Sequence, residues 1–102
     1  MSGARGNGLV GFRVVYPVAV RQEARRLLDG FGAEDRSRAA RALRVIHARL
    51  RTDPLEFGEP RFGQAGVAHT VRAGGVAPWI VRFAVYESLR TVWVLAFHLP
   101  GH

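Results

Sequence analysis

The sequence predicts an α+β domain, in the order β-α-α-β-β-β, with a helix hairpin packed on a small antiparallel sheet. Three observations carry this. The run Pro78–Leu99 holds both tryptophans and most of the β-branched and aromatic residues, and it breaks into two strand-length pieces. Upstream, apolar residues recur at helical spacing in two segments separated by Gly30 and Gly32. Between the two regions, Asp53-Pro54 and a Gly/Pro-rich loop mark the change of period.

Residues 1–10 are Gly-rich and aperiodic and read as a disordered leader, so the predicted domain spans 11–102. The leader's Gly-Asn-Gly is not a phosphate loop, because no strand precedes it and no Gly-Lys-Ser/Thr follows. Gly11–Tyr16 alternates weakly and gives a short first strand. Pro17 suits the first turn of a helix, where its missing N–H costs nothing. Val20, Ala24, Leu27, Leu28 and Phe31 then form the buried stripe of helix one, with Arg21, Arg25, Arg26 and Asp29 outside. Helix two is expected from about Glu34 to Thr52, with Glu34 and Asp35 favouring its positive end. Its predicted stripe is Ala39, Ala40, Leu43, Ile46, His47 and Leu50, which makes His47 a core histidine.

Residues 55–66 read as a long loop and Val67–Ala73 as a strand with Thr70 and Arg72 on one side. Gly74-Gly75 is expected to open the turn into Pro78. The last two strands are Trp79–Tyr86 and Thr91–His98, joined by Glu87-Ser88-Leu89-Arg90. A tight turn puts Glu87 opposite Arg90. Trp79, Val81, Phe83 and Val85 then share the helix-facing side with Val92, Val94, Ala96 and His98. Ile80, Arg82, Ala84 and Tyr86 share the other with Thr91, Trp93, Leu95 and Phe97. A slip of one residue would exchange the faces of the last strand. The expected core includes Leu27, Leu43, Ile46, Val81 and Phe83, and Trp93 with Phe97 are expected to line an exposed apolar groove.

At 102 residues and 48% hydrophobic content, the chain has the makings of one core. Cysteine is absent, which removes disulfides, thiolate metal sites and a cysteine nucleophile. The four histidines show no paired spacing, so no metal or other cofactor is expected. No apolar run approaches the ~20 residues of a membrane span, and no signal-like stretch follows the N-terminus, so a cytoplasmic location is expected. The fifteen cations are all Arg against eight Asp and Glu, a formal net charge of +7. Guanidinium groups fork onto phosphate and carboxylate, so an anionic partner fits: nucleic acid or an acidic protein segment.

The element order, together with Leu50-Arg-Thr-Asp53-Pro54 at the helix end, the Phe57-Gly-Glu-Pro60 loop and the Trp79–His98 run, resembles the RelE/ParE toxin superfamily from Phe12 to Leu99. These proteins are toxin halves of type II toxin–antitoxin pairs, often labelled plasmid-stabilisation proteins. The resemblance implies a curved sheet backed by two helices and a cognate antitoxin partner. It also implies action on translation, by cutting messenger RNA on the ribosome, or on DNA gyrase. The cutting members use an Arg early in the third strand and another cation near the end of the last strand, often with a Tyr or His in a short tail. Here the third-strand position falls nearest Ile80, with Arg82 two residues on. The chain ends His98-Leu99-Pro100-Gly101-His102, with neither Arg nor Tyr.

Arg82 and Arg72 are therefore the candidates for binding phosphate, and Tyr86 for stacking on a base. His98 is the candidate for proton transfer, since its ordinary pKa lies near neutrality and Arg holds its proton too tightly. Structural alternatives stand beside each: an ion pair of Arg82 with Glu87, a solvated Arg72, a boundary tyrosine, and a core-facing His98. Beyond the residues themselves, two other functions remain open. One is a degenerate toxin fold that binds its partner without chemistry; the other is a small basic nucleic-acid-binding protein.

Overall fold

A computed structural model describes residues 11–61 and 69–101; the expected disordered leader and the start of the expected Val67–Ala73 strand lie outside them. Two helices pack on one face of a five-stranded sheet, so the α+β architecture is as expected, but the sheet is mixed and not antiparallel throughout, because the first strand pairs parallel with the last. In chain order the elements are β1 (Arg13–Val15), α1 (Val18–Asp29), α2 (Ala33–Thr52), β2 (Glu59–Pro60), β3 (Thr70–Val76), β4 (Trp79–Tyr86) and β5 (Thr91–His98). The sheet order is β1-β5-β4-β3-β2; β1 runs parallel to β5 and every other pair is antiparallel. No helix among the described residues is long and apolar enough to cross a membrane.

The helix boundaries follow from local chemistry. Pro17 precedes α1 and its carbonyl accepts the Arg21 N–H at 3.0 Å. After Asp29 the chain tightens, with Gly30 and Phe31 N–H groups donating to Leu27 and Leu28 carbonyls. Gly32 then opens α2, which carries Glu34 and Asp35 in its first turn and Arg49 and Arg51 in its last, each matching the helix dipole. Asp53 closes α2, held by the Arg49 guanidinium at 3.0 Å. The expected hairpin is present, but it covers the sheet with Ala39, Ala42, Ile46 and Leu50. Leu27 and Leu43 are only partly buried, and His47 is exposed, not core.

Ile46, Leu50, Val81, Phe83, Val92 and Val94 are fully buried and join the two layers. Trp79 is the link with a polar handle: its indole N–H donates to the Ala39 carbonyl at 2.9 Å, and Phe31 and Phe97 meet its ring edge-on. Such a pairing satisfies the one donor that a buried Trp brings.

Two expectations about the third strand need correction. Gly74 and Gly75 do not open a turn; they lie within β3, and the turn is at Ala77–Pro78. Gly74 is glycine because the Phe57 ring lies over it: a Cβ there would sit 2.8 Å from that ring. Phe57 in turn stacks on Phe83 with centroids 5.8 Å apart and receives the Arg49 guanidinium at 4.8 Å. The expected loop also contributes strand β2, which pairs with β3. Gly58 makes the approach possible, with φ of 75° and no room for a side chain against the Ala73 carbonyl.

The β4–β5 register starts as expected and then changes. Tyr86 faces Thr91, Val85 faces Val92 and Phe83 faces Val94, but Arg82 faces Ala96, leaving Leu95 as an extra residue. This β-bulge reverses the alternation of the strand beyond it. Phe97 turns inward opposite Val81 and is 7% exposed, while His98 turns outward opposite Ile80. Both were expected on the other face.

Candidate functional site: the helix-free face of the sheet

α1 and α2 cover one face of the sheet through the core that they share with it, which leaves the other face without either of them. Opposed residues of antiparallel strands share a face, so the pairs Ala73–Arg82, Ala84–Trp93, Tyr86–Thr91 and Ile80–His98 define this surface. The Arg82 side chain is exposed and makes no hydrogen bond or ion pair with the described residues, including the Glu87 considered as its partner. His98 is exposed two residues beyond Ala96, the direct partner of Arg82. That diagonal relation corresponds to roughly 7–8 Å between positions, within reach of a long guanidinium side chain and a bound phosphate.

Aromatic groups occupy the same face. Tyr86 is half-buried and stacks on His69, with centroids 4.7 Å apart and planes at 28°. Trp93 is 44% exposed on the strand beside it, opposite Ala84. Trp93 and Phe97 do not share a groove, however, because the bulge separates them to opposite faces.

Arg72 does not join Arg82. It pairs with Phe83 in β3–β4, which puts it on the helix side. There its guanidinium donates to the Phe57 carbonyl at 3.1 Å and the Gly58 carbonyl at 2.8 Å. It fastens the loop after α2 to the sheet and is a structural residue.

His47 contributes something the stripe pattern did not reveal. Its Nδ1 and the Tyr16 hydroxyl are joined by a 2.7 Å hydrogen bond, and the rings stack at 5.7 Å. Burial pushes the Tyr16 phenol up to about 12. This pair lies on the helix side, away from Arg82 and His98, and nothing in the local sequence of Tyr16 marks it out.

The described residues contain no group of three His, Asp or Glu side chains able to hold a metal ion. The helix-free face can thus bind phosphate through Arg82, stack bases on Trp93 and the Tyr86–His69 pair, and move a proton through His98. No family model matches the chain, and no curated protein is significantly similar to it.

Proposed function

We propose that this chain is an RNA-directed toxin of the type II toxin–antitoxin kind, with the helix-free sheet face as its RNA-binding and cleaving surface. The observation that carries the proposal is the convergence of an unpaired Arg82, an exposed His98 and the rings of Trp93 and Tyr86 on one face. Single-stranded RNA is read by stacking on exposed rings beside cations, and every base offers a π face. The resemblance of element order to RelE/ParE toxins points the same way, and the net charge of +7 suits both RNA and an acidic antitoxin.

In the reaction, His98 takes the proton of a ribose 2′-hydroxyl, whose oxygen attacks the neighbouring phosphorus. Arg82 stabilises the charge gathering on the phosphate oxygens. The bond to the 5′ oxygen breaks, that oxygen takes a proton from water, His98 gives its proton to the hydroxide so formed, and a 2′,3′-cyclic phosphate remains. Because His98 is the sole proton carrier beside Arg82 among the described residues, turnover is expected to be slow relative to binding.

Inducible expression in a bacterium of wild type, Arg82→Ala and His98→Ala tests this, with growth and transcript integrity followed together. Wild-type arrest with fragmented transcripts, relieved by both substitutions, is the expected result. Arrest with intact transcripts would redirect the reading to a target such as DNA gyrase. Absence of arrest would leave a toxin fold that binds without acting.

A further inference from the structure

On the opposite side of the sheet, α1, α2 and β5 line a cleft of about 950 Å³. Its apolar lining comes from Leu28 of α1, Leu43 of α2 and the inward-turned Phe97 of β5. Arg21 and Arg25 border it from α1 and Arg44 from α2, and none of the three has an acidic partner among the described residues. Arg21 and Arg25 stand four residues apart, a spacing at which like charges on one helix repel. The cleft has two ends. At the hairpin, Asp29 and Arg36 form an ion pair at 3.1 Å that ties the end of α1 to the start of α2. At the other end stands the Tyr16–His47 pair. From Arg36 to His47 along α2 is about 16 Å at 1.5 Å per residue.

We infer that this cleft binds a small amphipathic organic acid, its apolar body against Leu28, Leu43 and Phe97 and its carboxylate against Arg21, Arg25 and Arg44. Charge decides the sign of the ligand: three unpartnered guanidinium groups around an apolar floor reward an anion and repel a cation. The volume lies at the upper end of the range for small-molecule sites, which combine an apolar lining with a few placed polar groups. Length decides its size: about 16 Å along α2 between the Asp29–Arg36 and Tyr16–His47 contacts suits a medium-chain acid such as decanoate. The phenol at the inner end remains neutral, so it adds no negative charge to the cleft. Nothing here depends on the RNA reading, which concerns the other face of the sheet.

The test uses 8-anilinonaphthalene-1-sulfonate as an anionic fluorescent probe and N-phenyl-1-naphthylamine as its neutral counterpart, with the purified full chain. Expected are saturable one-to-one binding of the anion, binding of the neutral probe at least tenfold weaker, and displacement by decanoate but not by decanol. Arg25→Gln/Arg44→Gln should weaken the anionic probe at least tenfold, since charge-assisted contacts are lost. Arg38→Gln removes the same kind of charge from α2 outside the cleft and should leave affinity unchanged. Near-ultraviolet circular dichroism identical to wild type would establish that both variants are folded. Equal affinity for the two probes, or no effect of the paired substitution, would overturn the inference. Displacement by an acidic amphipathic peptide but not by decanoate would also overturn it, assigning the cleft to a protein partner.

Discussion

Replacing Arg72 with Ala separates a residue that holds the fold from one that touches a ligand. In the structure its guanidinium spans two carbonyls, Phe57 at 3.1 Å and Gly58 at 2.8 Å. A hydrogen bond to a charged group contributes about 1.5–3 kcal/mol when both partners are sheltered. Arg72 is half-buried, so water can replace part of each bond, and roughly 2 kcal/mol is expected in total. For a domain of this size that corresponds to a fall of about 8–16 °C in Tm. Urea unfolding followed by tryptophan fluorescence should show a lower midpoint with an unchanged slope. Arg72→Lys should recover about half, because an ammonium can serve as a donor but not as a fork. Arg82→Ala, exposed and unpaired, should alter stability by less than about 0.5 kcal/mol while weakening RNA binding. A stability loss below ~0.5 kcal/mol for Arg72→Ala, with RNA affinity falling as it does for Arg82→Ala, would refute this assignment and return Arg72 to the ligand face.

Phe83→Ala removes a fully buried ring stacked on Phe57 and should cost about 3–5 kcal/mol in the same unfolding assay. Gly74→Ala brings a Cβ to 2.8 Å from the Phe57 ring and should cost roughly 1–3 kcal/mol, with a double substitution Gly74→Ala/Phe57→Leu losing less than the sum of the two singles. Ultraviolet titration should find one tyrosine ionising near pH 12, absent in Tyr16→Phe. Because the folded phenol ionises later than the unfolded one, its contribution to stability is complete below about pH 10. It declines as pH rises toward 12, which unfolding measured across that interval against Tyr16→Phe would reveal.

Much of the architecture was legible because several signals agreed at the same position. The bounds of β4 and β5 match the expected Trp79–Tyr86 and Thr91–His98, where β-branched runs meet polar breaks. Helix α2 ends at Thr52, as Asp53-Pro54 requires. The misreadings have a common physical origin, in tertiary contacts that override local preference. Gly74 reads as a turn residue but is in a strand because Phe57, seventeen residues upstream, needs the space of its missing side chain. Arg72 reads as an outward cation but turns inward because the loop supplies two carbonyls for its guanidinium. His47 follows Ile46 in an apolar stripe, yet it borders the cleft and Tyr16 supplies its partner. Arg82, Tyr86 and the outward Trp93 were legible from alternation alone, while His98 required knowledge of the bulge.

That bulge could not be read because Val94, Leu95, Ala96 and Phe97 are all apolar, so either face accepts each of them. The energies nevertheless favour it. A regular register would bring His98 under the helices without a partner, at a cost of roughly 1–3 kcal/mol for an unpaired polar group. It would also leave the Phe97 ring on the open face, forgoing about 1.5–3 kcal/mol of burial. Against these stands the disruption at Leu95, on the order of one net hydrogen bond, or about 1 kcal/mol. The extra residue therefore lowers the energy of the fold while equipping both faces. Inside, Phe97 meets Trp79 edge-on and stacks against Tyr16, forming the floor of the cleft. Outside, His98 comes to the face that carries Arg82. A packing preference at one apolar position is thus enough to bring an imidazole and an unpaired guanidinium onto the same surface, without either having been needed for stability.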